Sequence, residues 1–427
     1  METATGQASE ALRKVISLAS AGALGKEARI EHADWDAVFG LAQEHFVLPL
    51  VGCALLHSPG LDCPERYREY ALNVMRNASS GNLIRKQRVM HLLRELGSLG
   101  VDTRILKGYA AGRFYAYPEC RDAGDADLLM DPCHEKKVNA FLKDKGFQLI
   151  ERSPTGHHVV AAHPKYGKIE MHVSLYNGIV EDIWFRDAQN LRLMEEPVIV
   201  NEPEGKYETL GDTDHLIFIV LHMVKHFIGS GLTIRMLLDA ALYFEKNRET
   251  IDKQRFWGIV EKLNYTGIVN AIFSLLIRCG GFSANSFPGM QEQSEEITDA
   301  LVRDMLLGGY MGGKETHDRH TASMIYNRRQ ALKHKSKGQY LAYMVLWKIK
   351  SAVVNMFPSR QLLERAYPVV KKYPVLKPFY RVYRFFEYPV QKLRSGIVKQ
   401  EIRLDDSPTT EIVKRRTELF KKLGLIL

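Results

Sequence analysis

The spacing of apolar residues changes twice along this 427-residue chain, and those changes constrain its fold more than any single motif. Up to about residue 100, apolar residues recur every three or four positions, as in ALRKVISLASAG and WDAVFGLAQEHFVLPLVGCALL. That is the period of helices with one buried face. From Glu65 to Leu99 a proline-free pattern sets Tyr67, Ala71, Val74, Val89, Leu92 and Leu96 on one stripe, and Gly97 and Gly100 end it. Short runs of alternating character then take over. Thr103 to Leu106, Asp125 to Met130, Phe147 to Glu151, His157 to His163 and Lys168 to Leu175 read as strands. Helical stretches follow Gly108 and Pro132, and Pro164-Lys165-Tyr166-Gly167 reads as a turn. After residues 201–205 the helical period returns, with Thr213 as N-cap of DHLIFIVLHMVKHFI. It continues through LTIRMLLDAALYFEKN and FWGIVEKLNYTGIVNAIFSLLIRCGG, and 281–297 is loop-like.

This pattern predicts an α+β fold, a mixed sheet flanked by helical N- and C-terminal regions. The expected divisions are a helical region over 1–100, an α+β core over 101–205, a helical domain over 206–345 and a basic, aromatic helical segment over 346–427. Pro358, Pro368, Pro374, Pro378 and Pro389 interrupt that last segment.

Composition narrows the class. A hydrophobic fraction of 45% with 26% charged residues is that of a globular chain with a sizeable core. METATGQASEALRKV lacks the basic-then-apolar order of a signal peptide. LIFIVLHMV at 216–224 is far shorter than the roughly 20 residues that span a bilayer. Cys53, Cys63, Cys120, Cys133 and Cys279 are scattered and lack paired spacing, which argues against a disulfide framework or a structural zinc site. A cytoplasmic protein is expected. The net charge of +9 is concentrated: between Arg360 and Lys399 ten Lys and Arg face only Glu364 and Glu387, a local +8. Such a run suits an anionic polymer or membrane surface. It reads equally as a solvated face, or as a segment that packs back onto the helical domain.

The chemistry concentrates in RDAGDADLLM at 121–130. Strand side chains alternate faces, so Asp125 and Asp127 project from one face and Leu128 and Met130 from the other. Two carboxylates side by side repel unless a cation bridges them. Mg²⁺, or Mn²⁺ in its place, takes such ligands together with phosphate oxygens. Removing one charge by Asp127→Asn is therefore expected to abolish metal binding while leaving the fold intact or more stable. Downstream, Lys168-Ile169-Glu170-Met171-His172 alternates likewise, placing Glu170 and His172 on one face. Were this strand beside the Asp125 strand, Glu170 would complete an acidic trio able to hold two metals roughly 3.5–4 Å apart. Upstream, Gly108 allows close approach of a phosphate, and Lys107 or Arg121 could neutralise triphosphate charge. Arg121 could instead pair with Asp125 or Asp122.

Other features read as structural. His222 and His226 have zincin spacing, but His-Met-Val-Lys-His lacks the glutamate base and Lys225 would repel a cation. Arg235 and Asp239, four apart, read as an ion pair along a helix. The sequence contains no P-loop, nucleophile elbow or dinucleotide fingerprint.

In order, LKGYAAGRFY, the R-x-x-x-D-x-D-L-L pattern from Arg121 and the I-E-M-H run resemble the bacterial uncharacterised nucleotidyltransferase family, of the polymerase-beta type. The resemblance implies a nucleotidyltransferase-type mixed sheet, with Asp125 and Asp127 as paired metal ligands and Glu170 as the third acid. Two departures stand out: Lys107-Gly108 replaces the superfamily's Gly-Ser turn, and the third acid is Glu rather than Asp. The activity implied is transfer of a nucleoside monophosphate from NTP to the hydroxyl of a protein, glycan precursor, small molecule or RNA. A non-catalytic nucleotide- or polymer-binding protein of the same fold, and an accessory protein docked on a membrane through 360–399, are the alternatives.

Overall fold

A computed structural model describes residues 2–122, 124–152, 158–173, 175, 197–306, 369–370, 373–383 and 411–426. Two compact units emerge, Met1–Asn327 with Thr410–Leu427, and Arg328–Thr409.

The first unit opens with helices α1 (Glu2–Leu24), α2 (Trp35–Glu44), α3 (Leu48–His57) and the long α4 (Glu65–Ser98). Local chemistry sets their ends. The Asp34 carboxylate accepts from the Ala37 N–H to cap α2, and Gly100 follows α4 at φ 70°. Seven strands come next: β1 (Thr103–Leu106), β2 (Asp125–Met130), β3 (Gln148–Arg152), β4 (His158–His163), β5 (Gly167–His172), β6 (Pro197–Glu202) and β7 (Gly205–Leu210). Helix α5 (Gly108–Gly112) follows β1, and α6 (Glu135–Asp144) links β2 to β3. The remaining helices are α7 (Asp212–Gly229), α8 (Ile234–Lys246), α9 (Lys253–Lys262), α10 (Thr266–Cys279), α11 (Glu295–Leu306) and α12 (Glu411–Lys422).

The sheet order is β3-β4-β5-β2-β1-β7-β6. The pairs β2–β5 and β1–β7 are parallel and the others antiparallel, so the sheet is mixed and the fold α+β. Alternation gives each strand two allegiances. Ile105, Ala126, Leu128, Met130, Ile169 and Met171 join Val89, Leu92 and Leu96 of α4 and Val138 and Leu142 of α6 in one core. Leu106 and Leu129, on the opposite face, join a larger core built from α1–α3, α7–α11 and α12. The N-terminal helices and the helices after β7 therefore share one interior.

The sequence placed only a break around residues 201–205, yet Pro197–Leu210 is a hairpin, with Glu202 opposite Gly205. Thr213 does not cap α7; Gly211 does, and the Thr213 hydroxyl accepts from the N–H of Asp252. Strand β5 stops at His172, short of Leu175, and His157 lies outside the described residues. Residues 307–368 and 384–410, with most of the basic segment, lie outside them too.

In the second unit, Pro374–Leu376 forms a 3₁₀ turn and 377–383 a short helix. Tyr373, Val375, Phe379, Val382 and Tyr383 are all exposed there, Val375 at 83%. Among the described residues no helix is long and apolar enough to cross a membrane.

Candidate functional site

The parallel register of β2 and β5 sets Asp125 opposite Lys168, Asp127 opposite Glu170 and Leu129 opposite His172. On the other side of β2, Leu106 lies opposite Asp127, so Lys107 leaves β1 where Asp127 sits. All three carboxylates project from the sheet face opposite Ala126, Leu128 and Met130. Leu129 continues the same face of β2 into the larger core.

Asp127 is the buried centre, 3% exposed. Its Oδ1 lies 2.7 Å from Lys107 Nζ and 2.9 Å from His172 Nε2. Burial by itself penalises the Asp127 charge. Lys107 and then His172 outweigh that penalty and hold its carboxyl well below the usual carboxylate range. Burial opposes the Lys107 charge in the same way, and Asp127 more than compensates, raising the Lys107 value. Glu170 Oε1 accepts from Lys168 Nζ at 2.7 Å, and its Oε2 lies 3.7 Å from His172 Nε2. Burial and Asp127 push Glu170 upward, but Lys168 and Lys107 bring it below its ordinary value. Asp125, 3.4 Å from Lys168 Nζ, is the exception: burial and then Asp127 raise it.

One ligand atom each from Asp127, Glu170 and His172 lie within 4.8 Å of one another. These hard oxygens and one imidazole nitrogen, with Asp125 alongside, suit a divalent cation. Alternation alone sets His172 on the Glu170 face, without marking it as a member of the donor group. Its alternation signal was there, one period beyond Glu170.

The cleft above this face holds about 290 Å³. Lys107, Gly108, Asp125, Asp127, Lys168 and Glu170 form one side, and His222, Met223, Lys225 and His226 of α7 face them. A Cβ on Gly108 would meet nothing closer than 3.5 Å, so glycine here keeps space open and does not avoid a clash. The rings of His222 and His226 contact each other edge to face at 4.5 Å. Burial first, and then Lys107, depresses both, His226 to about 3, so both are neutral at pH 7.

Arg121 borders the cleft but its charge is already matched. Its Nε and NH2 donate to the two carboxylate oxygens of Asp239 at 2.7 Å each, and the Tyr115 hydroxyl donates to Asp239 at 2.8 Å. This bidentate, buried pair replaces both partners the sequence suggested for Arg121. It also overturns the expected pairing of Arg235 with Asp239; Arg235 donates instead to the carbonyl oxygen of Asp122 at 2.6 Å.

Among curated proteins, none matches this chain. One solved structure, an antigenic nucleotidyltransferase-like protein from Paracoccidioides brasiliensis, is 18% identical over 42% of this chain and 87% of its own. Its TM-score of 0.29 is too slight a likeness to argue from. Residues 31–279, from just before α2 to the end of α10, match the family model of the uncharacterised nucleotidyltransferases. With well over half of its length matched, the chain belongs to that family.

Proposed function

We propose that this cleft binds a nucleoside triphosphate with Mg²⁺ and transfers the nucleoside monophosphate to an acceptor hydroxyl. The observation that carries the reading is the register: three carboxylates on neighbouring parallel strands, on one sheet face, around a buried Asp127. Asp125, Asp127 and Glu170 would hold Mg²⁺ or Mn²⁺, with His172 beside them. A bound divalent ion would neutralise charge on the triphosphate and lower the proton affinity of an attacking hydroxyl.

The chain's own groups do the rest. Lys107 brings a cation to the phosphate side of Asp127, and Gly108 leaves room for a phosphate to approach. Arg121, fixed by Asp239, borders the same side. Glu170 stands where the acceptor's proton can leave as its oxygen bonds to the α-phosphorus and the bond to pyrophosphate breaks. Phosphoryl centres need little covalent help, so positioning and charge supply most of the rate. The triphosphate substrate suits a cytoplasmic location. The acceptor is a protein side chain, a glycan precursor, a small molecule or RNA.

The test is incubation of the full chain with Mg²⁺, each α-labelled NTP and cell extract. Pyrophosphate release with transfer of label to one extract component is expected. Tight NTP binding with neither product would contradict catalysis and favour a binding role for the same cleft.

A second reading concerns 360–399. Exposed Val375, Phe379 and Val382 lie within a stretch that also carries Lys377 and Arg381. The two valines cannot stack on bases, whereas they and Phe379 can bury together at a lipid interface, so an anionic membrane surface is the proposed occupant. The variant with Lys371, Lys372, Lys377 and Arg381 changed to Glu should lose sedimentation with anionic vesicles. Binding to RNA but not to vesicles would overturn this.

A further inference from the structure

Lys107 occupies a backbone conformation that lysine ordinarily avoids, φ 44° and ψ −116°. A non-glycine residue in such a region is strained, and persists only when its surroundings over-determine it. Glycine would adopt it freely, so a lysine there calls for an explanation in its side chain and its restraints. The side chain reaches Asp127. The restraint comes from elements outside the acidic motifs.

The Lys107 N–H donates to His215 Nε2 at 3.1 Å. His215 Nδ1 lies 3.1 Å from the Thr209 hydroxyl, which itself donates to the Ile105 carbonyl oxygen at 2.7 Å. Every proton in this chain has one possible place. A backbone N–H can only donate, so Nε2 accepts. The single Thr209 hydroxyl proton is committed to Ile105, so Oγ1 accepts and Nδ1 carries the imidazole proton. Both His215 and Thr209 are fully buried, and the Tyr243 ring packs on the imidazole with centroids 4.9 Å apart. Burial, and secondarily Arg113, lowers His215 to about 3, so the neutral tautomer the chain requires is the one present.

We propose that His215 is a positioning residue: with Thr209 it clamps the strained Lys107 turn to β1, so that the Lys107 ammonium stays aimed at Asp127 and the cleft. Its consequence for nucleotide binding rests on the function proposed above. The clamp itself does not.

The test follows acetylation of individual lysines by an N-hydroxysuccinimide ester, read by peptide mass spectrometry on the full chain. Exposed Lys136 sets the scale, and Lys86, paired with Glu202 and Glu204, reports general loosening. In His215→Leu and Thr209→Val, Lys107 should react about tenfold faster while Lys86 does not change. His215→Gln, which keeps an acceptor for the Lys107 N–H, should stay close to the parent. If His215→Leu fails to fold, the near-isosteric Thr209→Val decides. An unchanged Lys107 rate, or an equal rise at Lys107 and Lys86, overturns the inference. Dissociation constants for Mg·ATP are measured on the same proteins. A selective rise at Lys107 without loss of Mg·ATP affinity leaves the clamp standing and removes Lys107 from nucleotide binding.

Discussion

At the residue scale, Asp127 shows how a partner reverses an expectation drawn from charge alone. From the sequence, Asp127→Asn relieves repulsion with Asp125 and costs the fold nothing. In the folded chain Asp127 is the counter-ion of a half-buried Lys107 and the hydrogen-bond partner of His172. Removing its charge takes away the nearest counter-ion of the ammonium and leaves it Asp125 and Glu170, so the cost is about 3 kcal/mol, the lower end for a buried pair broken from one side. Asp127→Asn should therefore lower stability to chemical denaturation by about that amount, and an unchanged midpoint would show that Lys107 finds water instead. Asp125 behaves oppositely. Burial and its neighbour Asp127 already disfavour its charge, so Asp125→Asn should keep or raise stability and is the cleaner probe of the site. The paired acids were legible because DADLLM fixes their face by alternation. The partners of Arg121 were not: Asp239 lies 118 residues away, and helical spacing pointed it to Arg235 instead.

At the scale of elements, the strands that carry the acids were readable because polar and apolar residues alternate over 125–128 and 168–172. The hairpin of β6 and β7 was missed for a physical reason. It pairs the sheet only through β7, and its outer strand leaves Ile199 exposed, so no sustained apolar stripe marks it. Pro203 and Glu204, which form its turn, looked like a boundary between segments. That omission also hid Thr209, and with it the support beneath Lys107. Close packing among the N-terminal helices was equally invisible in periodicity. A Cβ on Gly22 of α1 would lie 1.9 Å from the Leu50 carbonyl oxygen of α3, which is backbone and cannot swing aside. Gly22→Ala should cost about 3 kcal/mol, the upper end of ordinary overpacking. A midpoint in urea unchanged by this substitution would mean the two helices do not approach so closely.

At the scale of the molecule, the family match ends where α10 ends, while the first unit continues through α11 and takes in α12. Arg416 of α12 pairs with Asp304 of α11 at 3.0 Å, and Phe420 packs on Phe227 of α7 with centroids 5.4 Å apart. Helix α7 is also the wall facing the acids, so the end of the chain braces the cleft from behind. In the proposed function a metal joins the triphosphate to the carboxylates on the sheet. The most direct measurement is the thermal unfolding of the full chain with ATP alone, Mg²⁺ alone and both, in the parent and in Asp125→Asn. A ligand bound only by the folded state stabilises it by about 2.7 kcal/mol at a hundredfold excess over its dissociation constant. ATP with Mg²⁺ should stabilise the parent more than either does alone, and Asp125→Asn should lose this extra stabilisation. Equal stabilisation by ATP with and without Mg²⁺, or its full retention in Asp125→Asn, would contradict a metal-bridged triphosphate at this site.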